Sequence, residues 1–156
     1  MSTKHDDQMA LAHLALIDME RVQRSIRYLH ATEEKDLKAA LFRDAVVSYV
    51  KPFSSSRYSD QTKGLRISSN HVPKELKAAH DEILALRDEL IAHTDMTVQN
   101  PKIEHYQDEI GVNFTMSVSG YETIHKEHLI EPLVNLAMAV HSSLLRSRSD
   151  QAKNDF

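Results

Sequence analysis

The chain has 156 residues, a formal net charge of −4, no Cys, no Trp and only 3 Gly. That length suits one domain over residues 1–156, and the lack of Cys excludes disulfides, thiolate metal sites and a cysteine nucleophile and fits a reducing, cytoplasmic setting. Scarce Gly argues against Gly-rich phosphate loops and turn-rich all-β folds, and no apolar run approaches the ~18 residues of a membrane span.

The first segment, from about Asp6 to Leu29, repeats Ala15, Met19, Val22, Ile26 and Leu29 at spacings of three and four. That is the apolar stripe of an amphipathic helix, with Arg24 and Arg27 opposite and Arg21 at the edge. A second helix is expected after Thr32, which suits an N-cap, with Glu33 and Glu34 at the positive end of its dipole. Its body, AALFRDAVVSYV, is apolar on most sides and predicts a central helix. Pro52 should end it, because the residue before a proline is pushed out of the α region.

Residues 53–72 read as a long Ser-rich loop containing the turn-prone Gly64. Pro73 fits the first turn of a third helix, striped by Leu76, Ala79, Ile83, Leu86 and Leu90. Beyond Asp95 the helical pattern fades. Ile110, Val112, Phe114, Met116 and Val118 then alternate with small or polar residues, which predicts a strand. Lys102 to Tyr106 supplies its hairpin partner. A fourth helix, capped by Ser119, is expected from Tyr121 to about Arg146 on the stripe Leu129, Leu133, Leu136, Val140 and Leu144. Pro132 should kink it or mark a break, and the tail from about residue 147 should fray. The expected fold is all-α: a four-helix bundle with a small β-hairpin insertion between helices 3 and 4.

The third helix carries an anomaly. With Leu90 at the centre of its apolar face, Arg87 lies about 60° to one side and His93 about 60° to the other. Ile83, Leu84, Leu90 and Ile91 surround Arg87 at helical spacing, so no helix neighbour three or four away can pair with it. A guanidinium there needs a distant carboxylate or an external anion. Arg suits a phosphate, and His titrates near neutrality and can move a proton.

The segment LALRDELIAHTD, Leu84 to Asp95, resembles the signature of the HEPN superfamily: Arg, a polar residue, a few mostly apolar residues, then His near a helix end. Asp88 stands where that family most often has Asn. Ala92 to Asp95, and the run Tyr49-Val50-Lys51-Pro52-Phe53 followed by Arg57, resemble the abortive-infection subgroup. The resemblance implies a helical bundle that forms a homodimer with the active site at its interface. It further implies metal-independent RNA cleavage with no cofactor, the ribose 2′-hydroxyl attacking the adjacent phosphate to leave a 2′,3′-cyclic phosphate. His93 would move the proton and Arg87 would stabilise phosphoryl charge. Asp88 inherits a role from the family pattern, although on the wheel it lies about 160° from Leu90. The expected partners are RNA, a second copy of the chain and an antitoxin protein, and no membrane. Two other readings compete: a HEPN module that binds nucleotide, RNA or protein without turnover, and a plain helix-bundle interaction protein. The last predicts that Arg87 finds a carboxylate within its own chain.

Other constellations are weaker. Glu122-Thr-Ile-His125 is a single Glu-x-x-His, whereas a carboxylate-bridged di-iron bundle needs two. Glu122, His125 and His128 read as a solvated helix face, so no metal is expected. His5, His13, His30, His71, His80, His105 and His141 share no spacing and are expected at the surface or at caps. The charge is uneven: residues 21–66 carry a net +5, against −3 before and −6 after. The overall acidity therefore does not exclude nucleic acid. Lys51, Arg57, Lys63 and Arg66 line the Ser-rich loop and are candidates for contact with an RNA backbone.

Overall fold

The computed structural model describes residues 4–57, 63–91, 102–107, 111–117 and 123–154. Among the described residues four helices dominate: α1 (Lys4–Ala31), α2 (Lys35–Val50), α3 (Lys77–Ile91) and α4 (Ile130–Asn154). Helix α1 packs against α2 and α4, and α2 touches all three other helices. The expected stripes form the core. Ala15, Met19, Val22, Ile26 and Leu29 of α1 are buried, as are Leu133, Leu136, Val140 and Leu144 of α4 and Leu129 just before it. Phe42, Val46 and Tyr49 bring α2 into the same core, and Ile83 and Leu86 bring α3. Arg21, Arg24 and Arg27 face solvent, as the stripe demands.

Two short antiparallel hairpins interrupt the helices. Strands β3 (Lys102–Gln107) and β4 (Val112–Ser117) pair between α3 and α4, with Lys102 opposite Ser117 and Gln107 opposite Val112. This is the expected insertion. The other hairpin corrects the expectation of an unstructured loop over 53–72. Strands β1 (Ser56–Arg57) and β2 (Lys63–Leu65) pair there, and Gly64 adopts φ +86°, a conformation that favours glycine. Ile67 and Val72 are buried, and the Ile67 amide donates to the Pro52 carbonyl. Two buried apolar side chains and a backbone bond fix this segment against the helices.

The helix ends differ from expectation for local reasons. Thr32 does not cap α2; its hydroxyl accepts from the Glu34 amide at 3.2 Å in a turn, and Glu34 is the N-cap. Lys51, before Pro52, keeps helical angles (φ −51°, ψ −48°). The chain passes instead into a 3-10 turn, Lys51–Phe53, where proline needs no amide hydrogen. A second 3-10 turn (Lys74–Leu76) follows Pro73 and leads into α3. The segment Thr123–Leu129 is 3-10 with a break at Lys126 (φ −121°, ψ 16°), so α4 starts at Ile130. Pro132 therefore lies in the first turn of α4, where a missing N–H costs nothing, and introduces no kink. At the other end α4 runs on to Asn154, past the expected stop near Arg146. Asp95, Ile110, Val118, Ser119 and Tyr121 lie outside the described residues.

Candidate functional site

Arg87 follows Leu86, whose side chain is sealed in the core. Its own side chain is 36% exposed. Arg87 Nη1 donates to Asp88 Oδ1 at 2.8 Å, and the Asp88 side chain is 75% exposed. Adjacent residues on a helix normally diverge, so the long Arg stem must bend to make this contact. An exposed ion pair of this kind contributes at most about 1 kcal/mol. It engages one corner of a guanidinium that has five N–H donors. Among the described residues no other carboxylate reaches Arg87 within ion-pair distance. Arg87 is therefore half-buried and paired with a carboxylate of its own chain, as the interaction-protein reading expects. His93 lies outside the described residues.

The basic candidates gather elsewhere. Lys51 caps α2 and pairs with Asp18 of α1, Nζ to Oδ1 3.1 Å; the lysine is exposed and the aspartate nearly buried. In the first hairpin, Arg57 stands opposite Lys63 in the register, and the exposed Arg66 follows directly. Lys51 sits at the C-terminal end of α2, and the Ile67 amide, just after Arg66, bonds the Pro52 carbonyl beside it. That end also meets the start of α3, through Tyr49 and His80. Arg87 is seven residues past His80, about 10 Å further along α3.

A cavity of about 530 Å³ opens at the opposite end of α2. Leu29, Phe42 and Ile130 give it apolar surface, while Lys35, Lys38, Glu127 and Glu131 supply charge. Glu82 of α3 connects this region to Arg87. Glu82 Oε1 accepts from His128 Nε2 at 3.0 Å and lies 3.7 Å from Lys126 Nζ, so it holds both neighbours of Glu127. Arg87 comes five residues after Glu82, about 7.5 Å along the same helix. The Arg87–Asp88 pair and the cavity therefore share one end of the bundle, away from the basic hairpin.

No known family model, curated protein or solved structure matches this chain. The side chains alone must carry the functional reading.

Several histidines correct the expectation of surface and cap positions. His80 is 1% exposed, and its Nδ1 shares a 2.8 Å hydrogen bond with the fully buried Tyr49 hydroxyl. The Phe53 ring meets it edge-on at 4.7 Å. Burial, with a smaller push from Lys77, lowers the His80 pKa below its ordinary value. Burial also raises that of Tyr49. Both are thus uncharged at neutral pH. The half-buried His71 bonds Ser143 of α4 through Nδ1 at 2.9 Å and is likewise lowered by burial. His128, expected on a solvated helix face, is exposed and bonds Glu82; Glu122 lies outside the described residues. Among the described residues no three His, Asp or Glu side chains converge as a metal site, and no helix is long and apolar enough to cross a membrane.

Neither the His80 pair nor the cavity emerged from sequence reasoning. His80 had a usable signal: it precedes Ile83 by three residues and Arg87 by seven, on the buried side of α3. The cavity had none, because it depends on how three helix ends meet.

Proposed function

We propose that this chain is a metal-independent endoribonuclease of HEPN type. The observation that carries the reading is the accessible Arg87 guanidinium on α3, oriented by Asp88 and six residues before His93. A helix-borne arginine that is half-exposed and only lightly paired can receive a phosphate without first losing a buried partner. In the reaction, the ribose 2′-oxygen attacks the adjacent phosphorus and loses its proton. The bond to the 5′-oxygen breaks, and that oxygen gains a proton. His93 serves one of these transfers. Arg87 neutralises charge growing on the non-bridging oxygens. The products are a 2′,3′-cyclic phosphate and a 5′-hydroxyl. Asp88 holds Arg87 in place, acting as a positioning residue.

A homodimer with the motif at its interface completes the reading. It is supported by apolar side chains left on the surface: Met138 and Leu145 of α4 are 53% and 47% exposed. The biological role that fits is the toxin or effector of a bacterial defence or toxin–antitoxin system, restrained by an antitoxin protein. Asp88 also supports a second reading, in which the same site binds RNA or nucleotide without cutting it. Its carboxylate competes with a phosphate for Arg87 and repels it.

The test is RNA digestion in excess chelator, with end-group analysis and a parallel measurement of RNA binding. Cyclic phosphate ends that disappear in Arg87→Ala and His93→Ala support the ribonuclease. Arg87-dependent binding without such ends supports the second reading. Cleavage unchanged in both variants overturns the site.

A further inference from the structure

Helix α1 carries a stripe on each of two sides. One is the buried line Ala15, Met19, Val22, Ile26 and Leu29. The other is Ala10, Leu14, Ile17, Arg21, Arg24 and Tyr28, at alternating spacings of four and three. Its centre lies about 140° around the helix from that of the buried line. Ala10 is half-buried and the other five are exposed, so Leu14, Ile17 and Tyr28 stand apolar and uncovered. A heptad spacing of this kind is the seam of a helix pair and calls for a second helix. Asp6, His13, Glu20 and Arg27, seven residues apart, form the flank of this seam on the α4 side. Glu20 marks that flank, lying 3.5 Å from His141 of α4. The Arg27 guanidinium lies 5.8 Å from the centre of the Tyr28 ring, at the edge of the seam.

We propose that a second copy of the chain docks on this face, the two α1 helices running antiparallel about a two-fold axis between Leu14 and Ile17. The charge pattern selects this occupant and this direction. Reversing the helix sets Asp6 beside Arg27 of the other copy and His13 beside Glu20 of the other copy, each pair twice. A parallel pair instead stacks Arg21 on Arg21 and Arg24 on Arg24, and like charges so placed repel. A face complementary to itself under a two-fold is what an isologous contact requires. In this register Leu14 and Ile17 of both copies close one apolar cluster at the axis. Ala10, the smallest residue of the seam, faces Arg21 of the other copy, whose guanidinium is already turned to its own Asp44. The two helix dipoles also oppose each other. The seam points away from the core that α1 shares with α3. The contact is therefore separate from one built on Arg87 and independent of the ribonuclease reading.

The experiment is cross-linking, and the chain has no cysteine to interfere. Ala10→Cys and Arg24→Cys are prepared separately and treated with a short bismaleimide, each alone and the two mixed. In the antiparallel contact residue 10 of one copy lies about 4.5 Å along the axis from residue 24 of the other, while each is at least about 16 Å from its own twin. The mixture should give a cross-linked dimer, and neither variant alone should. Adding Leu14→Glu/Ile17→Glu to both chains sets four carboxylates at the axis and should abolish the cross-link. The same double substitution in the native chain should halve the mass seen by light scattering. Leu14 and Ile17 are exposed, so the helical circular dichroism should be retained and serves as the folding control. Cross-linking of either variant with itself overturns the antiparallel arrangement. No cross-link in the mixture, or a mass unchanged by the double substitution, overturns the contact. RNA cleavage enters none of these readouts, so activity in a chain without the contact, or the contact in a chain without activity, decides the two readings separately.

Discussion

The hydroxyl of Tyr49 on α2 lies 2.8 Å from Nδ1 of His80 on α3, and both residues are sealed in the core. This bond joins two helices where water cannot replace a lost partner. Tyr49→Phe keeps the ring against Phe53 and removes only the oxygen. One imidazole nitrogen then stays buried without that bond, at a cost of about 1–3 kcal/mol. Urea unfolding should show a lower midpoint with an unchanged slope. A midpoint equal to that of the native chain would show that the bond contributes nothing.

The same histidine makes stability depend on pH. Burial lowers the pKa of His80 and of His71 in the folded chain. The unfolded chain then binds more protons than the folded one as acidity rises, so stability falls with falling pH. Their contribution is complete above about pH 6.5, the unfolded value, and is lost progressively below it toward the lowered folded values. Lys77 strengthens the effect at His80 and Asp81 opposes it. Histidine NMR signals followed against pH check this directly. The His80 ring should still be neutral at a pH where a free imidazole is mostly protonated. Titration of His80 at the ordinary histidine value would refute the prediction.

A second acid-sensitive contact joins α1 to α2. Arg21 Nη2 and Nε lie 2.6 and 3.1 Å from the two oxygens of Asp44, and the Ser25 hydroxyl donates to the same carboxylate at 2.7 Å. Burial alone would raise the Asp44 pKa, but the bonds from Arg21 and Ser25 with the Arg21 charge outweigh it, and the net shift is downward. A lowered carboxyl contributes stability above its unfolded value, near 3.8, and loses it as pH falls further. The arginine is more than half exposed, so water screens the pair. Asp44→Asn should cost about 0.5–1 kcal/mol at neutral pH. The variant should also lose less stability than the native chain between about pH 4 and about pH 2. Parallel curves for the two proteins would count against the assignment.

The sequence made the helices legible because each has a continuous apolar stripe, and a stripe of that length has one reading. Val112, Phe114 and Met116 likewise announced β4 by alternation. Interruptions were misread because tertiary context decided them. Pro132 fits a kink or a break, and the non-helical Lys126 with a helix start at Ile130 makes it the break. Residues 53–72 look like a free loop until Ile67 and Val72 are found in the core. At the site, the pattern around Arg87 calls for an anion and leaves its partner unnamed, and the structure supplies the neighbouring Asp88. The wheel alone gives Asp88 no role, because it shows the direction of a Cβ and not the reach of an arginine. The cavity was invisible because Leu29, Phe42 and Ile130 each look like ordinary core residues alone.

Arg87→Ala separates function from folding. The contact with Asp88 is at the surface, so its loss should change stability by no more than about 0.5 kcal/mol. Metal-independent RNA cleavage should fall by about 100-fold or more if the guanidinium stabilises phosphoryl charge. Arg87→Lys keeps the charge but loses the planar fork, and should recover only a small part of the rate. Full activity in Arg87→Lys would reduce the role to a diffuse charge.

The basic hairpin calls for a different signature. Arg57 and Lys63 stand opposite each other in a two-stranded ladder, and like charges so placed weaken a hairpin. An anion beside them would remove that penalty, as the proposed RNA contact requires. The triple variant Arg57→Ala/Lys63→Ala/Arg66→Ala should bind RNA more weakly at all sequences. Its affinity should also depend less steeply on salt, since fewer counterions are released. Lys51→Ala should do less, because Asp18 already neutralises that lysine. Binding measured across a salt series distinguishes the outcomes. The role proposed for these charges is to hold the strand, with no part in the chemistry. Cleavage at saturating RNA should therefore proceed at the native rate in the triple variant, and a proportional loss of rate there would place the hairpin within the reacting site instead.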